Sequence, residues 1–223
     1  WGMPRASVNE VYTQILSDLE FANANLWKKS QYPEADLGRA TKGAAQAMLM
    51  KVNLYMASSY WQKYTLTKST ADCYKDAKAW GDSIITSGEY DLCPNYEDNF
   101  TVAGENGIES VFEIQYAEVA WGDYGEGFGF TAGSFTQVLM RCRNSEIGGG
   151  WGFDHPTKNL YDEFEAGDPR RDVAILIPST DVVATYQMQS DENYLGNTWV
   201  NNKYGMYRDP ADIGGGYGKW SLH

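Results

Sequence analysis

Histidine and cysteine are scarce in this chain of 223 residues, and the scarcity removes whole classes of chemistry. The two histidines are His155 and the terminal His223, which leaves neither a histidine-based triad nor a multi-histidine metal site. The three cysteines, Cys73, Cys93 and Cys142, follow no metal or redox spacing, and one must stay unpaired within the chain. Basic charge is short too. Eighteen Lys and Arg against thirty Asp and Glu give a formal net charge of −12, a field that repels phosphate backbones and disfavours nucleic acid and anionic membrane surfaces. No run of eighteen apolar residues offers a spanning helix. No leader is visible, and the chain opens at Trp1 rather than at methionine, which reads as a processed or trimmed piece.

What is abundant is aromatic area: 16 Tyr, 8 Trp and 8 Phe, alongside 23 Gly. In "WGDYGEGFGF", residues 121 to 130, large rings alternate with glycines, and "GGGWGF" at 148 to 153 repeats the habit. Glycine lends no order of its own, so such rings either plug a core or are offered to a ligand. "GEGFGF" lacks phosphate-loop spacing, and no Lys-Ser/Thr follows it.

The first ninety residues read as helices. Ser7 and Glu10 have capping-box spacing, and Val8, Val11, Tyr12, Ile15, Leu16, Leu19 and Ala22 then recur on one helical face ending near Trp27. Thr41 caps a second helix running to about Ser59, with Ala45, Met48, Leu49, Val52, Tyr55 and Met56 as its inner stripe. A third runs from about Ala71 to Ser87, with Tyr74, Ala77, Trp80, Ile84 and Ile85 inward and Gly88 as its stop. Gly43, Ala44, Ala47, Ala77 and Gly81 form a small-residue seam that lets these two helices approach. The expected result is an antiparallel array of tetratricopeptide-like pairs, with an unusually long connection from Tyr60 to Thr70.

Beyond Cys93-Pro94 the character changes. "ESVFEIQY", 109 to 116, reads as a short strand, and a short helix is expected near Ser134 to Arg141. Thr157 caps another helix, with Leu160, Tyr161 and Phe164 inward and Gly167-Asp168-Pro169 as its end. After Pro178 the pattern is polar and loop-like. The fold class is therefore mainly α, with a helical region at 1–93 and a large irregular lobe at 94–223 containing few short strands.

Three stretches, in this order and spacing, resemble the SusD/RagB family of nutrient-binding surface lipoproteins of Bacteroidota: "LGRATKGAAQAMLMKVNLYMASSY" followed by "YKDAKAWGDSIITSGEYDL"; "NGIESVFEIQY"; and "LYDEFEAGDPRRD". The resemblance covers roughly residues 8 to 175. It implies tetratricopeptide-like helix pairs and a lipid-anchored address on the outer face of the outer membrane. It also implies capture of oligosaccharides, or of peptides in the RagB branch, for delivery to a SusC-like TonB-dependent transporter. The family's lipobox cysteine, first helices and closing C-terminal helices are not in this chain, so it reads as a middle segment. The family's ligand contacts lie in variable loops, and none transfers by motif.

The residues themselves narrow the site. Asp162, Glu163 and Glu165 could in principle pair for glycoside hydrolysis, but their spacing fits the solvated face of a short helix. Asp168 with Arg170 and Arg171 reads as capping and surface ion pairing, and His155 as a structural or exposed side chain. "DENYLGN" and "NYEDNF" hold oxygen ligands without the spaced calcium pattern. No cofactor or metal motif is present. Flat rings that stack on sugar faces remain, and Trp121, Tyr124, Trp151 and Trp199 are the candidate ligand-binding residues of a non-catalytic protein. Peptide capture by the same scaffold and a helical-repeat adaptor that binds protein are the alternatives.

Overall fold

A computed structural model of the chain describes residues 2, 4–64, 66–115, 139–140 and 153–176, with the backbone of 182–183, 186–187 and 200–201. By contacts the chain divides into two units. One holds Trp1–Leu92 with Ile108–Glu113, the other Cys93–Gly107 with Ile114–His223.

The first unit is built on helices α1 (Val8–Asn25), α2 (Lys42–Ala57), the single turn α3 (Ser59–Gln62) and α4 (Thr70–Ile85). Side-chain oxygens satisfy otherwise orphaned N–H groups at three of these starts. Ser7 and Glu10 form the full capping box expected of them. Thr41 accepts from Ala44 N and Ser69 from Asp72 N. Helix α2 packs on both α1 and α4. Ala44, Ala45, Leu49, Met56 and Ala57 of α2 are buried with Cys73 and Ala77 of α4. Tyr12, Leu16, Val52 and Leu66 close over the Met56–Ala57–Cys73 centre.

The inner stripe is narrower than the periodicity implies. Met48 and Tyr55 of α2, Tyr74 and Ile85 of α4, and Val11 of α1 are exposed. With the helix interfaces built on alanines and Leu49, the core takes a thin strip of each helix. The large side chains at the edge of the 3.6-residue pattern fall outside it. The small-residue seam divides as well. Gly81 faces Met50 across the α2–α4 interface, whereas a Cβ on Gly43 would overlap the ring and hydroxyl of Tyr90. Gly43 thus makes room for a tyrosine that hydrogen-bonds Thr41 at 3.1 Å, not for a neighbouring helix. Helix α4 ends at Ile85, and Gly88 adopts a left-handed φ of 71° three residues later.

Buried polar groups tie the long α3–α4 connection down. Asn53 is fully buried; its amide donates to Leu49 O at 2.8 Å and accepts from Lys68 Nζ at 2.7 Å. Lys68 also pairs with Asp76. Gln62 donates to Met56 O at 2.7 Å, and Asn9 accepts from Thr67 N at 2.9 Å.

Residues 109–115 do not form the expected strand. Their alternation is real, but among the described residues no partner strand lies beside them. The backbone is satisfied instead by single bonds: Ser110 O accepts from Lys29 Nζ at 2.9 Å, and the preceding Ile108 O accepts from Asp91 N at 3.2 Å.

Among its described residues the second unit carries 3-10 turns at Tyr96–Phe100 and Val102–Gly104, helices α5 (Lys158–Glu163) and α6 (Pro169–Ala174), and four two-residue strands. β1 (Ile175–Leu176) pairs antiparallel with β4 (Val200–Asn201), and β2 (Val182–Val183) with β3 (Tyr186–Gln187). Leu139 and Met140 are helical; the rest of the helix expected near 134–141 lies outside the described residues. Thr157 caps α5 as expected, but Leu160 is exposed because a helix of six residues has only one turn to bury. The protein is mainly α, with packed helices in the first unit and, among the described residues of the second, short helices and two-residue strands.

Candidate functional site

Trp121, Tyr124, Trp151 and Trp199, the candidate ligand-binding rings, lie outside the described residues. Within them, the largest gathering of rings sits on α3. Because Ser58 is extended, at φ −67° and ψ 146°, α2 stops there and α3 starts at the next residue. Three rings then fall within five residues, in "YWQKY" at 60 to 64. Trp61 is the hub. It meets Tyr60 edge-on at 4.9 Å between ring centres, Tyr12 of α1 edge-on at 5.7 Å, and Tyr64 tilted by 40° at 5.5 Å. Tyr60 and Tyr64 are in contact at 6.2 Å. These are the edge-to-face and offset geometries that ring quadrupoles favour.

The outer members of the cluster remain open to solvent: Tyr60 is 56% exposed and Tyr64 39%. Lys63 lays its ammonium 3.9 Å from the centre of the Tyr60 ring and 5.0 Å from that of Tyr64, within cation–π range. Burial raises the pKa of the Tyr12 hydroxyl, with a further push from Tyr55. The rings are therefore anchored on one side and accessible on the other. A sequence reading by helical period passes over them, because the segment is too short to show a period. The density of rings in "YWQKY" was the available signal.

A smaller pair stands at the end of α1. Trp27, 55% exposed, leans on Tyr32 at 5.4 Å with 48° between planes, and the Tyr32 hydroxyl donates to Ala40 O at 3.0 Å.

In the second unit, Asp168 caps α6 by accepting from Arg170 N, and its carboxylate also takes the Arg170 guanidinium. These bonds lower its pKa to about 2. The capping and ion-pairing reading of Asp168 and Arg170 holds, while Arg171 reaches its neighbour Asp172 and lies over the Tyr161 ring at 4.9 Å. Asp162, Glu163 and Glu165 are exposed, and Asp162 is held by Lys158. Among the described residues the carboxylates with shifted pKa, Glu10, Glu89 and Asp168, are all lowered by hydrogen bonds, the opposite of what a general acid needs. Among the described residues no group of three or more His, Cys, Asp or Glu could hold a metal ion. The solvent-facing rings of Tyr60 and Tyr64 offer flat faces with a hydroxyl at each edge, which suits the binding of a ligand.

No protein-family model matches the chain. It is, however, 30% identical over 135 residues to a SusD-like protein of Formosa agariphila, covering 60% of this chain and 22% of that protein. A SusD-like protein of Bacteroides ovatus is 28% identical over 165 residues, 73% of this chain and 27% of the relative. The chain thus spans about a quarter of the length of these curated relatives. Among solved structures it shares the fold of surface glycan-binding protein A from Bacteroides thetaiotaomicron, determined in complex with laminarihexaose. The TM-score is 0.70 at 21% identity, over 95% of this chain and 45% of that one. The chain is thus similar in sequence to SusD-like proteins, over part of their length, and similar in fold to a surface glycan-binding protein.

Proposed function

We propose that this chain is part of a non-catalytic protein that captures oligosaccharides at the cell surface and passes them to a TonB-dependent, SusC-like transporter of the outer membrane. The single observation that carries the reading is the match to SusD-like proteins, two of them over 60% and 73% of this chain. The shared fold with a surface glycan-binding protein solved with a bound glucan is consistent with it. The expected address is the extracellular face of the outer membrane, held by a lipid anchor.

Trp121, Tyr124, Trp151 and Trp199 are the proposed contacts, the first three supported by the coincidence of large rings and glycines at 121–130 and 148–153. Sugar rings carry C–H patches that stack on aromatic faces, and tyrosine and tryptophan present that area with few rotors to freeze. Each stacked ring adds on the order of 1 kcal/mol beyond area burial, so several are needed for micromolar affinity.

The test pairs calorimetric titration with thermal melts on Trp121→Ala, after a glycan screen has identified a binding oligosaccharide. The expected outcome is a severalfold loss of affinity with an unchanged melting temperature. A stability loss of roughly 3–5 kcal/mol, the cost of truncating a buried tryptophan, with unaltered affinity would place Trp121 in the core and reject the platform.

A further inference from the structure

The α3 cluster is a second place where rings meet solvent, and it differs from the glycine-flanked segments in carrying a cation. We infer that Tyr60, Tyr64 and Lys63 form a subsite for an acidic sugar, a uronate residue whose pyranose face lies against the tyrosines while its carboxylate pairs with the Lys63 ammonium. The choice of a sugar rests on the glycan-binding reading; the position and the charge rest on the cluster itself.

Three observations carry it. The first is rigidity. Trp61 is braced on three sides by Tyr12, Tyr60 and Tyr64, and Gln62 fastens the turn to Met56 O at 2.7 Å and Lys68 O at 3.4 Å. A ligand meeting Tyr60 and Tyr64 therefore freezes few additional rotors, which keeps the entropy cost of binding low. The second is access, since Tyr60 is 56% and Tyr64 39% exposed, and Lys63 stands over both rings.

The third is charge. In a protein of net charge −12, several exposed lysines are already matched to carboxylates, as Lys78 is to Asp82 and Lys158 to Asp162. Lys63 has no carboxylate partner among the described residues; its contacts are the two tyrosine rings. A cation–π contact engages one side of the ammonium and leaves an N–H donor on its far side to bond an anion. A neutral sugar would use the rings and leave the charge idle, whereas a uronate uses both.

The experiment measures binding of an oligogalacturonate and of laminarihexaose to the protein, to Lys63→Met and to Tyr64→Ala, each checked by far-UV spectrum and melting temperature. Lys63→Met keeps the stem and removes the charge, so it guards against a variant that fails to fold. The expected result is uronate binding that weakens about fivefold in Lys63→Met, as for an exposed ion pair. Binding should also weaken by a similar factor in Tyr64→Ala, and raising salt to about 1 M should abolish the Lys63 contribution. Laminarihexaose binding, if present, should be untouched by Lys63→Met. No uronate binding, or uronate binding indifferent to both substitutions, would overturn the subsite. Neutral-glycan binding that survives alongside either failure would leave the broader glycan-capture reading standing. Loss of all glycan binding in the unsubstituted protein would instead count against both.

Discussion

Two glycines of α2 and α4 behave as opposites, although the sequence presents them alike. A methyl on Gly43 would run into the ring of Tyr90, which is hydrogen-bonded to Thr41. Gly43→Ala should therefore force that ring out and destabilise the protein by roughly 1–3 kcal/mol, as overpacking does. A methyl on Gly81 meets only Met50 Sδ, at 3.2 Å. That side chain is unbranched and can give way, while alanine gains up to about 1 kcal/mol of helix propensity. Gly81→Ala should be neutral or stabilising. Chemical denaturation of the two variants side by side decides it, and equal effects would mean that both sit in the same seam. Asp168 gives a pH signature. Its carboxylate is held at about 2 rather than 3.8, first by the Arg170 side chain and then by the Arg170 backbone N–H. A carboxylate lowered on folding stabilises the native state in full above its unfolded pKa and loses that contribution as pH falls through the folded value. The window here is about pH 4 to 2. A carboxyl NMR titration should find the Asp168 midpoint near 2 and move it back up in Arg170→Ala; an unmoved midpoint would show that the guanidinium is not its partner.

At the scale of elements, helix starts were the most legible feature. Ser7 with Glu10, Thr41 and Thr157 each announce a cap, and each caps, because a cap is a local bargain between one side chain and the next turn's N–H groups. Burial was legible only where it depends on size. Ala45, Leu49 and Ala77 are buried as their positions require, whereas Met48, Tyr55 and Tyr74 share the same periodic face and are exposed. Periodicity gives a direction but not the width of the interface. The strand expected at 109–116 fails for a different reason: alternation describes a segment able to pair, and pairing needs a partner that no local pattern encodes. The α3 cluster went unread because four residues carry no period, and the proposed platform rings cannot be compared with it, lying outside the described residues. Ala77 is 2% exposed against α2, so Ala77→Leu should cost on the order of 1–3 kcal/mol. Thermal melts would check this, and an unshifted transition would mean that the α2–α4 interface has slack for three more carbons.

For the whole molecule, the proposed role requires company. Detergent extraction of outer membranes followed by affinity capture of this protein should bring down a much larger β-barrel protein. Recovery of the protein alone from the cytoplasmic fraction would sink the address and the partnership together. The path of the chain also decides how the molecule can be cut. The chain leaves the first unit after Leu92 and rejoins it at Ile108, and the exit and re-entry are stitched by Asp91 N to Ile108 O at 3.2 Å, with Lys29 fastening Ser110 just beyond. The intervening stretch, 93 to 107, belongs to the second unit, where its turn at Tyr96–Phe100 packs on α6. A single cut after Leu92 would therefore remove the oxygens to which Asp91 N and Lys29 Nζ donate, so the first unit is a piece that no one scission releases whole.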